Sequence, residues 1–385
     1  MLKIGILELE GHYYYLTTLF KIINQENCKV TLFSTRSIVE QFYEELGAEI
    51  VSVEVVLKDD TTTVLSFLKK VEKICNKEID ILFVNTIMGK LGTWIAFLTF
   101  NPKCIKVLTL HNLNSWFSPK LIISFVANFE SIARKIILKR FNAISVLDDL
   151  LKNYVLSETN YRGKVITIPF SYFDEQKYFD FIEIDKYKDC TKFIIPGSIA
   201  FRRRNYHLIC DVFEDLFKLY DTKIELILAG RPIGEYGTSI IERAKKFKQK
   251  GFRIVFFEEW ISPDSYFNLM INSDFILSPI RSDTTFYSQR EIYGKTKASG
   301  APFEAIKFAK PLIVPTDFEV IPQLKTSVLN YSNLHSLLAL IKNLMDDVSK
   351  VEYLKLNALI NSKKFTLDNL QSNYRDDVLK KLNIL

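Results

Sequence analysis

Apolar residues arrive along this chain in short, nearly unbroken runs rather than in strict alternation. LKIGILEL at residues 2–9, CKVTLFS at 28–34, IDILFV around 79–84, IKVLT at 105–109 and NAISVL at 142–147 are each bounded by small or polar residues. Runs of this kind predict strands buried on both faces, as in a parallel sheet. Between them, residues 13–24, 62–75 and 148–156 place apolar side chains at helical spacing, and further strands are expected at 51–57 and 165–169. The first half therefore reads as repeated βαβ units of a doubly wound α/β sheet. The second half repeats the pattern. Strands are expected at 192–195, 223–229, 253–257, 274–278 and 312–314. Helices are expected from the 201–206 segment to about 220, and at 240–250, 265–271, 302–309, 334–345, 351–364 and 367–379. Ser262-Pro263-Asp264 is a capping sequence for the helix at 265–271.

A chain of 385 residues is long for one hydrophobic core, so two domains are expected. We place the first at residues 1–170, a connection rich in Tyr, Phe, Asp and Lys at 171–190, the second domain at 191–364 and a terminal helical segment at 365–385. The net charge of +6 is too small to argue for nucleic acid, but it suits acidic ligands or anionic lipid. Five cysteines without a CxxC pair argue against a disulfide framework or a zinc site and for reduced core residues of a cytoplasmic protein. MLKIGILELEG reads as a strand and turn rather than a signal peptide, and no transmembrane run is expected.

Candidate chemistry concentrates at strand ends, where ligands of such sheets gather. Lys297-Ala298-Ser299-Gly300 is a small-residue turn ahead of the helix expected at 302–309, which has Phe303, Ile306 and Phe308 to bury. Pro302 suits the first helical turn. Amide N–H groups and the positive end of the helix dipole would face outward there, with Lys297 adding a point charge, which together make an anion site. Glu304, one turn on, can accept hydrogen bonds from a hydroxyl beside that anion. Arg202, Arg203 and Arg204 cluster between a strand and a helix, a placement that is costly without an anion and whose planar forks suit phosphate. Gly11 and His12 end the first strand, in a turn that lacks GxGxxG. His111 ends another strand, where imidazole can donate or accept near neutral pH. Residues 116–141 join a long apolar run to Lys120, Arg134, Lys135, Lys139 and Arg140 against the single acid Glu130. This is either a core helix with a basic outer face or a segment suited to a membrane surface. No DxD triplet is positioned as a metal site, since Asp148-Asp149 opens a helix.

Glu304-Ala305-Ile306 followed by Ala309-Lys310-Pro311-Leu312-Ile313-Val314 resembles the EAxxxGKPVI segment of retaining nucleotide-sugar glycosyltransferases of the GT-B fold, in particular family 4. The resemblance implies two Rossmann-like domains facing a cleft, with a C-terminal helix crossing back to the first. It implies that Glu304 binds the nucleotide ribose while Ser299, Gly300 and Lys297 hold the diphosphate. A strand ending at Gly197 and a basic pair, Arg203 and Arg204 with Arg202 as substitute, match the diphosphate site. Ala229-Gly230-Arg231-Pro232 matches the family's lAGxGp turn, and the backbone after the 253–257 strand is expected to hold the base. Gly11 would approach the donor, His111 would face the transferred sugar, and the 281–293 insertion would close over bound donor. Members that use lipid-linked acceptors dock on the bilayer through the region matching 116–141. Two departures stand out: Thr296 where the family often has Glu, and Ala309 for the usual Gly. The expected activity is transfer from a UDP- or GDP-linked sugar to a saccharide, lipid-linked or other acceptor, with retention. No metal and no further cofactor are expected, because the cations and helix end can neutralise the leaving diphosphate. The expected place is the cytoplasm, as a peripheral protein at the inner membrane face if the basic segment docks. A nucleotide-sugar epimerase and a non-catalytic nucleotide-binding or scaffold protein remain as alternatives.

Overall fold

The buried runs become parallel strands, and their order across each sheet decides where the loops gather. The computed structural model describes residues 1–47, 53–118, 123–182, 190–286 and 289–384. Two compact units form, each described below by itself. The first comprises Met1–Ser171, Thr285–Ala298 and Leu367–Leu385, and the second comprises Tyr172–Thr284 and Ser299–Thr366.

In the first unit the strands are β1 (Leu2–Glu8), β2 (Cys28–Thr35), β3 (Glu54–Lys58), β4 (Ile81–Val84), β5 (Ile105–Thr109), β6 (Ala143–Val146) and β7 (Lys164–Thr167). They lie in the order β3-β2-β1-β4-β5-β6-β7, and all pairs are parallel. The strand expected from residue 51 begins at Glu54, its first two positions lying outside the described residues. The 116–141 segment contributes a single turn, Asn114–Phe117, and an amphipathic helix, Phe125–Leu138, capped by the Ser124 hydroxyl. Residues 119–122, with Lys120, are outside the described residues. The chain terminus closes this unit. Helix Leu367–Asn373 packs on helix Tyr13–Ile23, with the Gln371 amide donating to the Lys21 carbonyl at 2.9 Å. The expected single terminal helix is instead broken by a wider turn of π type, Tyr374–Leu379, which buries Tyr374.

The second unit holds β8 (Thr191–Pro196), β9 (Ile224–Ala229), β10 (Ile254–Phe256) and β11 (Phe275–Leu277). A hairpin of β12 (Asp283–Phe286) and β13 (Gln289–Ile292), which belongs to the first unit from Thr285 on, comes next in the chain, and β14 (Leu312–Pro315) and β15 (Val328–Tyr331) complete the second unit. The main sheet runs β10-β9-β8-β11-β14-β15. Both sheets thus reverse direction beside their first strand, as in Rossmann-like folds. The two sheets with their flanking helices and the returning C-terminal segment make a GT-B-like architecture. The connection at 171–190, read without a period, contains helix Glu175–Phe181, capped by Asp174. Phe181 meets Phe267 edge-on at 5.5 Å, and Lys363 pairs with Glu175 at 2.6 Å. Residues 183–189 are outside the described residues.

Aromatic packing anchors the second sheet. Phe193 on β8 stacks on Phe275 of β11 at 5.2 Å and meets Phe213 of helix Tyr206–Tyr220 edge-on at 5.7 Å. All three are fully buried. Phe193→Ala is therefore expected to cost about 3–5 kcal/mol, read as a lowered urea midpoint. A loss below about 1 kcal/mol would mean that this cluster does not anchor the unit.

Candidate functional site

In the second unit the strand-to-helix turns after β8 and β9 and the connection after β11 leave by one sheet edge, on either side of the point where strand order reverses. The turn after β8 is bare backbone. Gly197 has φ +87°, in the region that favours glycine, and an added Cβ would press on the Arg204 guanidinium at 3.0 Å. The turn after β9 approaches it closely, since a Cβ on Gly230 would lie 2.2 Å from the Gly197 carbonyl oxygen.

Arg204 folds back into this corner. Its Nη1 donates to the Ser198 carbonyl at 3.0 Å, while its Nε is enclosed without a partner. Arg202 and Arg203 are exposed. The loop that carries them is fastened on both sides. Asn205 N donates to the Pro279 carbonyl and Arg281 N to the Arg203 carbonyl, both at 2.9 Å or less. The Tyr236 hydroxyl accepts from Tyr206 N at 2.8 Å and reaches the Arg204 carbonyl at 3.2 Å. Arg281 lies over the Phe201 ring at 4.7 Å.

The helix expected at 302–309 runs Gly300–Lys307 and buries Phe303 and Ile306. Ser299 precedes it without a side-chain capping bond, so the first-turn amides keep their donor capacity for an outside acceptor. Because the helix leads directly into β14, which runs parallel to β11 and β8, its N-terminus belongs to the same sheet edge as the arginine loop. Glu304 accepts a hydrogen bond from the Tyr266 hydroxyl at 3.0 Å. Ala309 adopts φ +49°, the left-handed turn for which glycine is the easier residue. Lys310 is 6 % exposed and donates Nζ to the Ile271 carbonyl at 2.5 Å, closing the end of helix Pro263–Ile271. Gly197, Arg203, Arg204, Gly230, Ser299, Gly300 and Glu304 all belong to the second unit.

The first unit presents a different chemistry at its own reversal point. Ser34 pairs with Glu8, and Thr109 with Ser145. Asn85 follows Val84, which is level with Leu7 and Leu108. Ser34, Glu8, Asn85, Thr109 and Ser145 therefore form one polar row across five strands, and all are buried. Asn85 Nδ2 and Oδ1 and His111 Nε2 are enclosed without hydrogen-bond partners among the described residues, while Tyr15 Oη is neighboured by the Thr109 and Ser145 hydroxyls. Burial without partners is costly for each such atom. Glu8 accepts from Glu10 N at 2.6 Å and from the Thr86 hydroxyl at 3.1 Å. Its burial still pushes the carboxyl up from 4.5 to about 7.

His111 stacks on His12 with ring centroids 4.6 Å apart, and Tyr15 meets it edge-on. Burial, then His12 and then the Lys297 ammonium push His111 down to about 3. His12 is also lowered, by burial and by Lys297. Both imidazoles are therefore neutral at neutral pH. Gly11 precedes them at φ +103° with open space around it.

Lys297 stands beside the two histidines, which its ammonium affects. The stretch from Thr285 to Ala298 belongs to the first unit. Lys297 pairs with Asn112, and Ala298 N donates to the His111 carbonyl at 3.3 Å. The Lys297 ammonium sits 4.0 Å from the centre of the Phe286 ring. Glu291, fully buried, accepts from Asn114 N at 3.3 Å and Ser115 N at 3.1 Å, at the start of the turn Asn114–Phe117. Thr296 donates to Glu291 at 2.6 Å. The insertion read as a loop at 281–293 is thus a hairpin whose second strand is tied to the first unit, residues 287–288 being outside the described residues. Sequence reasoning missed Glu291, Glu8, Asn85 and Arg281. A strand-end rule extended to every strand would have flagged Glu8, Asn85 and Arg281. Glu291 had no local signal, since its partners lie far away in sequence. Among the described residues no group of His, Cys, Asp and Glu is placed to hold a metal ion, and no helix is long and apolar enough to cross a membrane.

No protein-family model and no curated protein sequence matches the chain. Solved structures do. The Anabaena protein HepE, in complex with UDP and glucose, aligns over 100 % of both chains with a TM-score of 0.66 at 14 % identity. A glycosyltransferase from Rickettsia africae aligns over 99 % of this chain and 98 % of its own, with a TM-score of 0.66 at 14 % identity. The UDP-GlcNAc 2-epimerase of Methanocaldococcus jannaschii aligns over 90 % of this chain and 93 % of its own, with a TM-score of 0.54 at 15 % identity. The likeness establishes a GT-B-like fold. At these identities it reaches the fold and not a family.

The His111 shift has a consequence for stability. With a folded value of about 3 against an ordinary 6.5, only the unfolded chain takes up this proton between those limits. The contribution is complete above 6.5 and is lost as pH falls, with a slope of up to about 1.4 kcal/mol per pH unit. Glu8, raised to about 7, acts in the opposite sense, its contribution fading as pH rises through 7. His111→Gln should remove the first dependence and leave the second. Urea midpoints of both proteins from about pH 4 to about pH 7 test this, and parallel curves would show that His111 protonates within the fold.

Proposed function

We propose that this protein is a glycosyltransferase that moves a sugar from a nucleotide-diphosphate sugar to a saccharide, lipid-linked or other acceptor, with retention and without a metal. The observation that carries the reading is the shared edge in the second unit. Bare glycine turns at Gly197 and Gly230, the fastened arginine loop and the open N-terminus of helix Gly300–Lys307 all belong to it. Backbone can approach a diphosphate closely there. Arg203, Arg204 and the helix end would offset its charge as it leaves, with Lys297 as a further donor-binding cation. Glu304, held by Tyr266, is the ribose acceptor in this reading. In the first unit, neutral His111 and His12 and the unspent donors and acceptors of the polar row suit the hydroxyls of a sugar. The UDP and glucose held by HepE support the same ligand class.

A specific observation favours a second reading, an epimerase acting on the nucleotide sugar alone. Glu8, with a carboxyl near 7, lies at the strand end before His12 and could exchange a proton at neutral pH. The likeness to an epimerase supports it. Product analysis after incubation with donor alone separates the readings, because only an epimerase yields a rearranged nucleotide sugar without an acceptor.

Calorimetry with UDP and GDP tests the donor site. Arg204→Ala and Lys297→Ala should each weaken the bound nucleotide roughly tenfold or more, the loss of a charge-assisted hydrogen bond. Unchanged affinity in both would remove the assignment. Turnover should survive chelation by EDTA within about twofold, because positive charge from the chain replaces a metal at the leaving group. Complete loss of turnover in EDTA would overturn the metal-independent mechanism.

A further inference from the structure

Two of the five cysteines meet in the first unit, at the sheet edge opposite the polar row. Cys75 lies in the last turn of helix Val64–Glu78 and is 2 % exposed. Cys104 directly precedes β5 and is half-buried. The backbones around them are fastened side by side. Lys103 N donates to the Asn76 side-chain carbonyl at 2.7 Å, and Ile105 N donates to the Asp80 carbonyl at 3.0 Å. Cys104 is thus held on both flanks against the end of the helix that carries Cys75, and the two thiols share a hydrogen bond. The Lys106 ammonium acts on Cys104 from close by. It is fixed there by donating to the Asn101 side-chain carbonyl at 2.8 Å and to the Pro102 carbonyl at 2.9 Å.

We propose that Cys75 and Cys104 are a site of reversible oxidation, closing to a disulfide when the protein meets a hydroperoxide. The unequal settings of the two sulfurs assign the order of events. Cys104 is held below the ordinary thiol value, first by the hydrogen bond from Cys75 and then, against burial and Asp80, by the Lys106 ammonium. Cys75 is held above it, because it keeps the shared proton, is enclosed and lies near Glu72. The carboxyl end of its helix acts in the same sense. The Cys104 thiolate therefore attacks one peroxide oxygen, the O–O bond breaks, and the departing hydroxide takes up a proton to leave as water. Cys104 is then a sulfenic acid. The Cys75 sulfur attacks the Cys104 sulfur and gives up its proton, the S–O bond breaks, and the oxygen departs as a second water. Two thiols are oxidised to one disulfide while one hydrogen peroxide is reduced to two waters. A dithiol reductant reverses the step and becomes a disulfide itself. A bulkier oxidant such as glutathione disulfide is disfavoured, because the attacking sulfur is half-buried. The closed loop contains β4 and helix Leu91–Thr99. The inference does not depend on the nucleotide-sugar reading, since no residue in it belongs to either strand-end site.

Peptide mapping of the full chain tests it. The folded protein is treated with a few equivalents of hydrogen peroxide, then alkylated in denaturant and digested. Free thiols should fall from five by two, and a peptide pair linked through Cys75 and Cys104 should appear. Dithiothreitol should restore every thiol. Glutathione disulfide at the same concentration should form the bond about tenfold more slowly or worse, since access limits exchange. Cys75→Ser should stop the reaction at a Cys104 sulfenic acid, which dimedone traps. Cys104→Ser should leave Cys75 unoxidised. Mapping of the unsubstituted chain decides the matter even where a variant folds poorly. Three outcomes would overturn the proposal: both cysteines still alkylated after peroxide, oxidation of Cys28 in place of the Cys75–Cys104 bond, or glutathione disulfide reacting as fast as peroxide.

Discussion

When every strand of a sheet runs in one direction, all its strand-to-helix turns leave by a single edge, and the helices that follow present their amino ends near it. Everything chemical in this molecule depends on that constraint. In the second unit it gathers segments separated by about a hundred residues of chain: the turn at Gly197, the arginine loop, the turn at Gly230 and the opening of helix Gly300–Lys307. The contact that makes the gathering usable is the near-touching of two backbones. The space above Gly230 is already filled by the Gly197 carbonyl, so no side chain stands between a ligand and the peptide groups.

The first unit obeys the same constraint but buries the opposite kind of group. A row from Ser34 through Glu8, Asn85 and Thr109 to Ser145 sits where a core would otherwise hold valine or isoleucine. Enclosed polar atoms without partners work against folding. The stacked imidazoles beside them are kept neutral by burial and a nearby ammonium. Stability is thus set against chemistry at one edge of the sheet, while Phe83, Leu82 and Ile81 one turn inward keep β4 firmly in the core.

Thr296 shows how a departure from a family pattern can be structural. Its hydroxyl donates to the buried Glu291 carboxylate, which in turn accepts amides at the start of the turn Asn114–Phe117. A glutamate at 296 would set a second carboxylate against the first in an enclosed place, where like charges are strongly disfavoured. The acid at 291 and the neutral residue at 296 form one arrangement, and it holds Lys297 beside the histidines.

Much of this was legible in the residues. Parallel strands announced themselves as unbroken apolar runs, because both faces of such strands are covered. The capped helix after Ser262 and the turns ending in Gly197 and Gly230 followed from local rules that need only neighbouring residues. Phe303 and Ile306 were readable as the buried face of helix Gly300–Lys307 for the same reason. Glu291 and the His12–His111 stack were not legible. Their partners stand on other strands or far along the chain, and nothing local separates a buried polar residue from an exposed one. Lys297 is the sharpest case. Its position in sequence puts it two residues from Ser299, yet the hydrogen bonds of Glu291 and Thr296 place it with the first unit. Periodicity and turn chemistry act over a few residues and so could be read from the chain alone. Burial, pairing and charge environment depend on what arrives from elsewhere, and only the folded structure decides them.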